Sequence, residues 1–187
     1  MKERIKAIFE ESITVKQAAL VKNLDLIEKA ADALIRSLKS GGKILLFGNG
    51  GSAADSQHIA AEFIGRFQKE RKALPAIALT TDTSALTALG NDYTFDIVFS
   101  RQVEALGRSG DVAIGISTSG NSKNVVEGIL KAKSLGLTTI TLTGNDGGKL
   151  APLSDMALIV PSKVTARIQE SHITISHAIC ELVEAQF

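Results

Sequence analysis

Apolar residues recur every three to four positions along the first forty residues: Ile5, Ile8, Phe9, Ile13, then Leu24, Ile27, Ala30, Leu34 and Leu38. That is the period of a helix with one buried stripe. Asn23-Leu24-Asp25 interrupts the stripe and offers a place for two helices to meet. Gly41-Gly42 ends the run, as a helix C-cap should. From there the pattern changes. Short blocks of branched apolar residues at 43–47, 75–79, 111–116, 138–143 and 156–160 predict five strands. Helical spacing between and after them predicts an alanine-rich helix from Ser52 onward and others at 83–89, 95–106, 125–135 and 165–184. Strands alternating with helices imply an α/β fold, a five-stranded parallel sheet with helices on both faces. Ligands of such sheets bind at the carboxyl ends of the strands, where the strand order reverses. The leading helix has no place in the βα alternation. We read residues 1–40 as an oligomerisation arm, with packing on its own domain as the alternative, and residues 41–187 as one α/β domain.

Composition narrows the function classes. With 21 Lys+Arg against 20 Asp+Glu, the chain has no charge excess to attract nucleic acid or an anionic membrane. There is no Trp and aromatics are few, so a base-stacking surface is not expected. The lone Cys180 excludes an intrachain disulfide and fits a reducing cytoplasm. The amphipathic, charged N-terminus reads as neither signal peptide nor membrane span.

Chemistry concentrates first at residues 47–62. The strand ending in Phe47 runs into Gly48-Asn49-Gly50-Gly51-Ser52, whose glycines permit a tight turn and close backbone approach to a ligand. Ser52 stands where an N-cap belongs. Turn and helix N-terminus together suit an anion or a polar ligand. The spacing is not that of a dinucleotide fingerprint, and no P-loop lysine follows. His58 and Glu62 come next at i, i+4, on one helix face. For Glu62 the structural alternative is an ion pair with Arg66, one turn on.

A second loop, Ser117-Thr118-Ser119-Gly120-Asn121-Ser122, sets four hydroxyls and a glycine between a buried strand and a helix start. Neutral donors there suit a phosphorylated metabolite better than triphosphate chemistry, which wants Lys and Mg²⁺. A Ser-rich capped turn is the plainer reading. Asn91-Asp92 could hold sugar hydroxyls or simply make a turn. The last helix carries Gln169, His172 and His177. On an ideal helix Gln169 and His177 lie about 80° apart in direction and His172 about 140° from His177. We therefore take His177 as functional and His172 as structural. His58, Glu62, Gln169 and His177 could form an N/O metal site suited to Zn²⁺. Gln169 and His177 are, however, roughly 12 Å apart along the helix, so they must lean together or come from different subunits. Cys180 is a competing ligand, or a small core residue.

At these residues the chain resembles the sugar isomerase (SIS) domain family over its whole length. The motifs are the block at 47–55, Gln-His-Ile-Ala-Ala-Glu-Phe at 57–63, Asn-Asp-Tyr at 91–93, Ser-Thr-Ser-Gly-Asn-Ser at 117–122 and Arg-Ile-Gln-Glu-Ser-His at 167–172. The branch it resembles interconverts sedoheptulose 7-phosphate and an aldoheptose 7-phosphate. The resemblance implies a cytoplasmic homotetramer with active sites between subunits and one Zn²⁺ per subunit at His58, Glu62, Gln169 and His177. It implies substrate contacts at Asn49, Gly50, Gly51, Ser52, Glu62, Asn91, Asp92, Ser117, Thr118, Ser119, Ser122 and Gln169. Glu62 and His177 are the expected catalytic pair. Three rivals stand beside this reading: another enzyme of the same domain, such as an arabinose-5-phosphate isomerase, a non-catalytic SIS tetramer that binds the replication initiator DnaA, and a sugar-phosphate-sensing module.

Overall fold

The computed structural model describes residues 1–187. In chain order the elements are α1 (Lys2–Lys39), β1 (Ile44–Gly48), α2 (Gly51–Ile64), β2 (Ala76–Ala78), α3 (Thr83–Asp92), a 3₁₀ turn at Phe95–Ile97, α4 (Val98–Leu106), β3 (Val112–Ser117), α5 (Lys123–Ser134), β4 (Thr138–Gly144), β5 (Met156–Val160) and α6 (Thr165–Glu184). The strands form one parallel sheet in the order β2-β1-β3-β4-β5, the flavodoxin-like doubly wound arrangement. The order reverses between β1 and β3, so the loops after these two strands flank the switch point.

The apolar strand blocks are buried on both faces because helices cover both. Along β1, Ile44 and Leu46 join a core with Leu34 of α1, Phe63 of α2 and Ile175 of α6. Leu45 and Phe47 point the other way, into a core with Phe99 of α4 and Ile129 of α5. This is the period-2 alternation of a strand, and each such side chain contributes roughly 1.5–3 kcal/mol. The sequence boundaries hold to within a few residues, with two shifts. Helix α3 continues through Asp92, and the segment 95–106 opens with a 3₁₀ turn before α4.

The leading segment is one helix of 38 residues, not two. Asn23 is the reason. Its side chain is buried, donating to Ala19 O (2.8 Å) and Ile159 O (3.0 Å) and accepting from Ile159 N (2.9 Å). It thus pairs with the exposed edge of β5 as a further strand would, so the polar residue that reads as a break is a docking point. From Ala19 to Leu38 the buried face of α1 belongs to the domain core. Toward the N-terminus Phe9 and Ile13 are exposed at 67% and 55%.

His172 is buried under the carboxyl end of β4, its Nε2 on Thr143 O at 3.0 Å and its Nδ1 without a partner. Burial pushes its pKa down to about 4, against a smaller opposing effect of the Thr143 bond. The neutral ring is therefore favoured in the fold, and protonation in the unfolded chain costs stability as pH falls from 6.5 towards 4. At pH 5 this amounts to roughly 2 kcal/mol. Urea unfolding of wild type and His172→Gln at pH 7.5 and 5 checks it: wild type should lose about 2 kcal/mol more than the variant, and equal losses would contradict it.

Candidate active site

Helix α2 is capped two residues before the place the Ser52 reading assigns. Gly50, at φ 54°, is the N-cap, a left-handed conformation that suits glycine, and Ser52 lies buried in the first turn. No side chain caps the helix; Ser52 N donates to Asn49 O and Ala53 N to Gly50 O, each at 3.0 Å. Asn49 is held by an unforeseen partner. Asn49 Nδ2 donates to Asn124 Oδ1 at 2.8 Å and Asn124 Nδ2 donates back to Asn49 Oδ1 at 2.9 Å. Asn124 is buried in the first turn of α5, so this reciprocal amide pair ties the loop after β1 to the loop after β3. Only its position in the turn after the Ser/Thr loop could have marked it in the sequence.

The Ser/Thr loop is folded as a hydroxyl cluster. Ser117 Oγ lies 2.9 Å from Ser122 Oγ and 3.4 Å from Ser119 Oγ. Gly120 has φ 66°, and a side chain there would strike the Gly147 carbonyl. Asn121 fastens the loop to itself and to the following turn, donating to Ser119 O (2.8 Å) and accepting from Lys149 N (3.2 Å). Ser119 is exposed and Thr118 half-buried. The loop therefore presents hydroxyls beside the start of α5, an arrangement that favours phosphate.

Helices α2 and α6 lie side by side on one face of the sheet, and their side chains meet twice. At the start of α2, Gly51 has no side chain and the amide of Gln169 fills that space; even a methyl group would collide with it. Two turns further on, His58 Nε2 lies 2.9 Å from His177 Nε2 and 3.4 Å from Glu62 Oε1. The donor atoms of His58, Glu62 and His177 all lie within 4.8 Å of one another. Arg66 does not take Glu62; it turns outward to Glu70 at 3.9 Å. At this spacing either one ring donates its N–H to the other or both turn lone pairs towards a shared cation. At the ~2.0–2.1 Å Zn–N bonds of a tetrahedral ion, two imidazoles sit roughly 3.3 Å apart, close to the spacing here. Two histidines and a carboxylate with an open position are also a catalytic zinc donor set. The residues fit a metal.

The remaining residues divide. Within one chain Gln169 stands at the glycine turn, about two helical turns from His58, as the spacing along α6 requires. Asn91 and Asp92 are exposed in the last turn of α3 and bond only to each other, at 2.9 Å. Cys180 is buried; burial, with the Glu62 and Glu184 carboxylates nearby, pushes its thiol up to about 12, which makes it inert at neutral pH. Asp55 was not picked out by sequence reasoning. It lies one turn before His58, half-buried, with Oδ2 unpartnered. Burial raises its pKa while His58 and His177 pull it down, so it sits close enough to feel both rings.

Fold and site together define a SIS-domain protein. The SIS domain model matches residues 8–144. The chain is 61% identical to the phosphoheptose isomerase of Aquifex aeolicus, over 98% of this chain and 96% of that one. It superposes on the structure of phosphoheptose isomerase GmhA from Neisseria gonorrhoeae with a TM-score of 0.93, at 52% identity over 98% of each chain. A phosphoheptose isomerase structure from Francisella tularensis gives 0.94 at 39% identity, covering 98% and 97%. This chain belongs to the phosphoheptose isomerase family, a family of enzymes.

Gly51→Ala is the sharp local test. The added methyl displaces the Gln169 amide without entering the core, so kcat/KM should fall roughly 100-fold while the melting temperature changes little. A variant with near-normal kcat/KM would show that Gln169's position does not matter.

Proposed function

We propose that the chain converts sedoheptulose 7-phosphate to D-glycero-D-manno-heptose 7-phosphate through an enediol, as a precursor step for bacterial surface polysaccharide. The observation that carries the residue assignment is the convergence of His58, Glu62 and His177 beside the glycine turn. The phosphate is assigned to the hydroxyls of Ser117, Thr118, Ser119 and Ser122 and the N-terminus of α5. The sugar chain is assigned to Asn49, Gly50, Gly51, Ser52 and Gln169, with Asn91 and Asp92.

Moving a carbonyl from C2 to C1 requires one proton to leave C1 and one to reach C2, while at the oxygens a proton leaves O1 and one reaches O2, in the same sense. Glu62 takes the C1 proton and delivers a proton to C2 on the same face of the planar enediol. His177 gives a proton to O2 and accepts the one from O1, restoring both groups after each turnover. Glu62 cannot bind a cation and abstract a proton at once, so its two roles fall at different stages. His58, Glu62 and His177 would hold Zn²⁺, which when bound supplies a Lewis acid that polarises the carbonyl and stabilises negative charge on oxygen. Gln169 completes that set only by leaving Gly51 or by coming from a second copy.

A homotetramer accounts for the exposed apolar stripe of α1. Phe9, Ile13, Leu20 and Leu24 are all more than half exposed. An apolar groove of about 270 Å³ between α1 and α6, lined by Ala19, Leu20, Ile27 and Ile175, adjoins the stripe. Large exposed apolar faces of this kind are covered by partners. In this reading residues 1–40 are the assembly arm, although α1 also contributes to the core of its own domain. No helix is long and apolar enough to cross a membrane. A cytoplasmic location fits the free Cys180. Nothing in the structure favours a DnaA-binding adaptor over the enzyme.

Two variants test the assignment. Glu62→Gln should lower kcat by at least about 10⁴-fold with the melting curve retained, and His177→Gln by 10²-fold or more. Removing divalent metal with a chelator should abolish turnover and Zn²⁺ should restore it. A Glu62→Gln enzyme near wild-type rate would remove Glu62 from the role.

A further inference from the structure

The segment after α2 is held by a buried ion pair that the catalytic assignment does not use. Glu184, near the end of α6, accepts backbone N–H bonds from Phe67 (2.9 Å), Gln68 (2.7 Å) and Lys69 (2.8 Å). Three successive amides around one carboxylate form an anion nest. Burial pushes the Glu184 carboxyl up, but those three bonds and Arg71 outweigh it and hold it below the usual carboxylate range. Arg71 closes the arrangement from the other side. Its Nε lies 3.3 Å from Glu184 Oε1, a charge contact whose angle is too poor for a hydrogen bond. Its Nη atoms donate to Glu62 O (2.7 Å), Phe63 O (2.7 Å), Gly65 O (3.0 Å) and Lys72 O (3.1 Å). The two side chains are 1% and 4% exposed.

Both ends of this clamp finish at the candidate active site. Arg71 caps the last carbonyls of α2 and so fixes the backbone of Glu62 itself. The Glu184 nest fixes the backbone of Phe67, whose ring lies 5.2 Å from that of His177, tilted by 36°. On its other side His177 faces His58, with ring centroids 5.1 Å apart. The imidazole is therefore wedged between Phe67 and His58.

We infer that Arg71 and Glu184 are positioning residues for the isomerase site: they hold Glu62 by its backbone and Phe67 against His177, so that base, acid and metal donors keep one geometry. A guanidinium is required, because a lysine cannot serve four carbonyls and a carboxylate from one point. The inference rests on the roles proposed for Glu62 and His177.

The test uses full-length Glu184→Gln, Arg71→Lys and Phe67→Leu beside wild type. With only three histidines in the chain, the His177 ring proton signal can be assigned by its loss in His177→Gln. In the metal-free protein Phe67→Leu moves that signal by removing the ring current, and a clamp that holds Phe67 predicts that Glu184→Gln and Arg71→Lys move it the same way. Zinc affinity, by competition with a chromophoric chelator, should fall about 10–100-fold in the clamp variants, with kcat lowered at least tenfold and KM within about threefold. Folded clamp variants with an unmoved His177 signal and wild-type zinc affinity and kcat would overturn the inference. If both clamp variants fail to fold, Phe67→Leu decides: unchanged zinc affinity and kcat there overturn it equally. A wild-type protein that binds no zinc and turns nothing over would strike the functional reading instead, while the His177 signal still reports on the clamp.

Discussion

The side-by-side packing of α2 and α6 on one face of the sheet is the constraint on which the site depends. Both helices follow strands of the same parallel sheet and run in the same direction, so their residues stay in step. Gly51 meets Gln169 at one level, and His58 meets His177 two turns further on. Seven residues of one helix are matched against eight of the other, a difference of about 1.5 Å in rise. That register requires the buried faces on both sides of it. Phe63, Ile175 and Ile179 must pack on Ile114 and Leu142 before the polar faces can align. The core thus acts on the chemistry through the helix register.

The second requirement is that this helix pair meets the Ser/Thr loop, to which we assign the substrate phosphate. The loops after β1 and β3 are adjacent because their strands are neighbours at the switch point, and the Asn49–Asn124 amide pair locks one to the other. In the proposed reading a phosphorylated chain held at the hydroxyls of 117–122 lies across the glycine turn. Binding energy from the unreactive phosphate is in this way available to orient the reacting carbons. The hydroxyl cluster is neutral, which suits release of product as much as capture of substrate.

Much of this was legible in the sequence because it is local. Strand blocks, helix periods and the two loops depend on residues within one or two turns of each other, and the parallel order follows from their alternation. The His58–Glu62 pair was legible for the same reason, being one helical turn long. His177 was singled out by its direction on the last helix relative to Gln169 and grouped with the pair as a candidate metal donor, but its contact with His58 needed the tertiary register. What stayed hidden is what depends on packing between distant segments. Asn23 looked like a helix break because its partner, Ile159, lies 136 residues away. Ser52 looked like an N-cap because a glycine at positive φ two residues earlier carries no side-chain signal. Asn124, Asp55 and the Arg71–Glu184 clamp are polar residues whose meaning comes entirely from what they face.

The central claim is an enediol isomerisation run by a carboxylate that takes a proton from C1 and, after exchange with solvent, delivers one to C2. The most direct measurement is incubation of the zinc-loaded protein with sedoheptulose 7-phosphate in D₂O, followed by NMR of the product. Aldose carrying deuterium at C2 is the predicted result, since the Glu62 carboxyl exchanges its proton with solvent during the lifetime of the enediol. Aldose with only protium at C2 would contradict a solvent-exchanging base, and no aldose with or without zinc would contradict the assignment of the reaction itself.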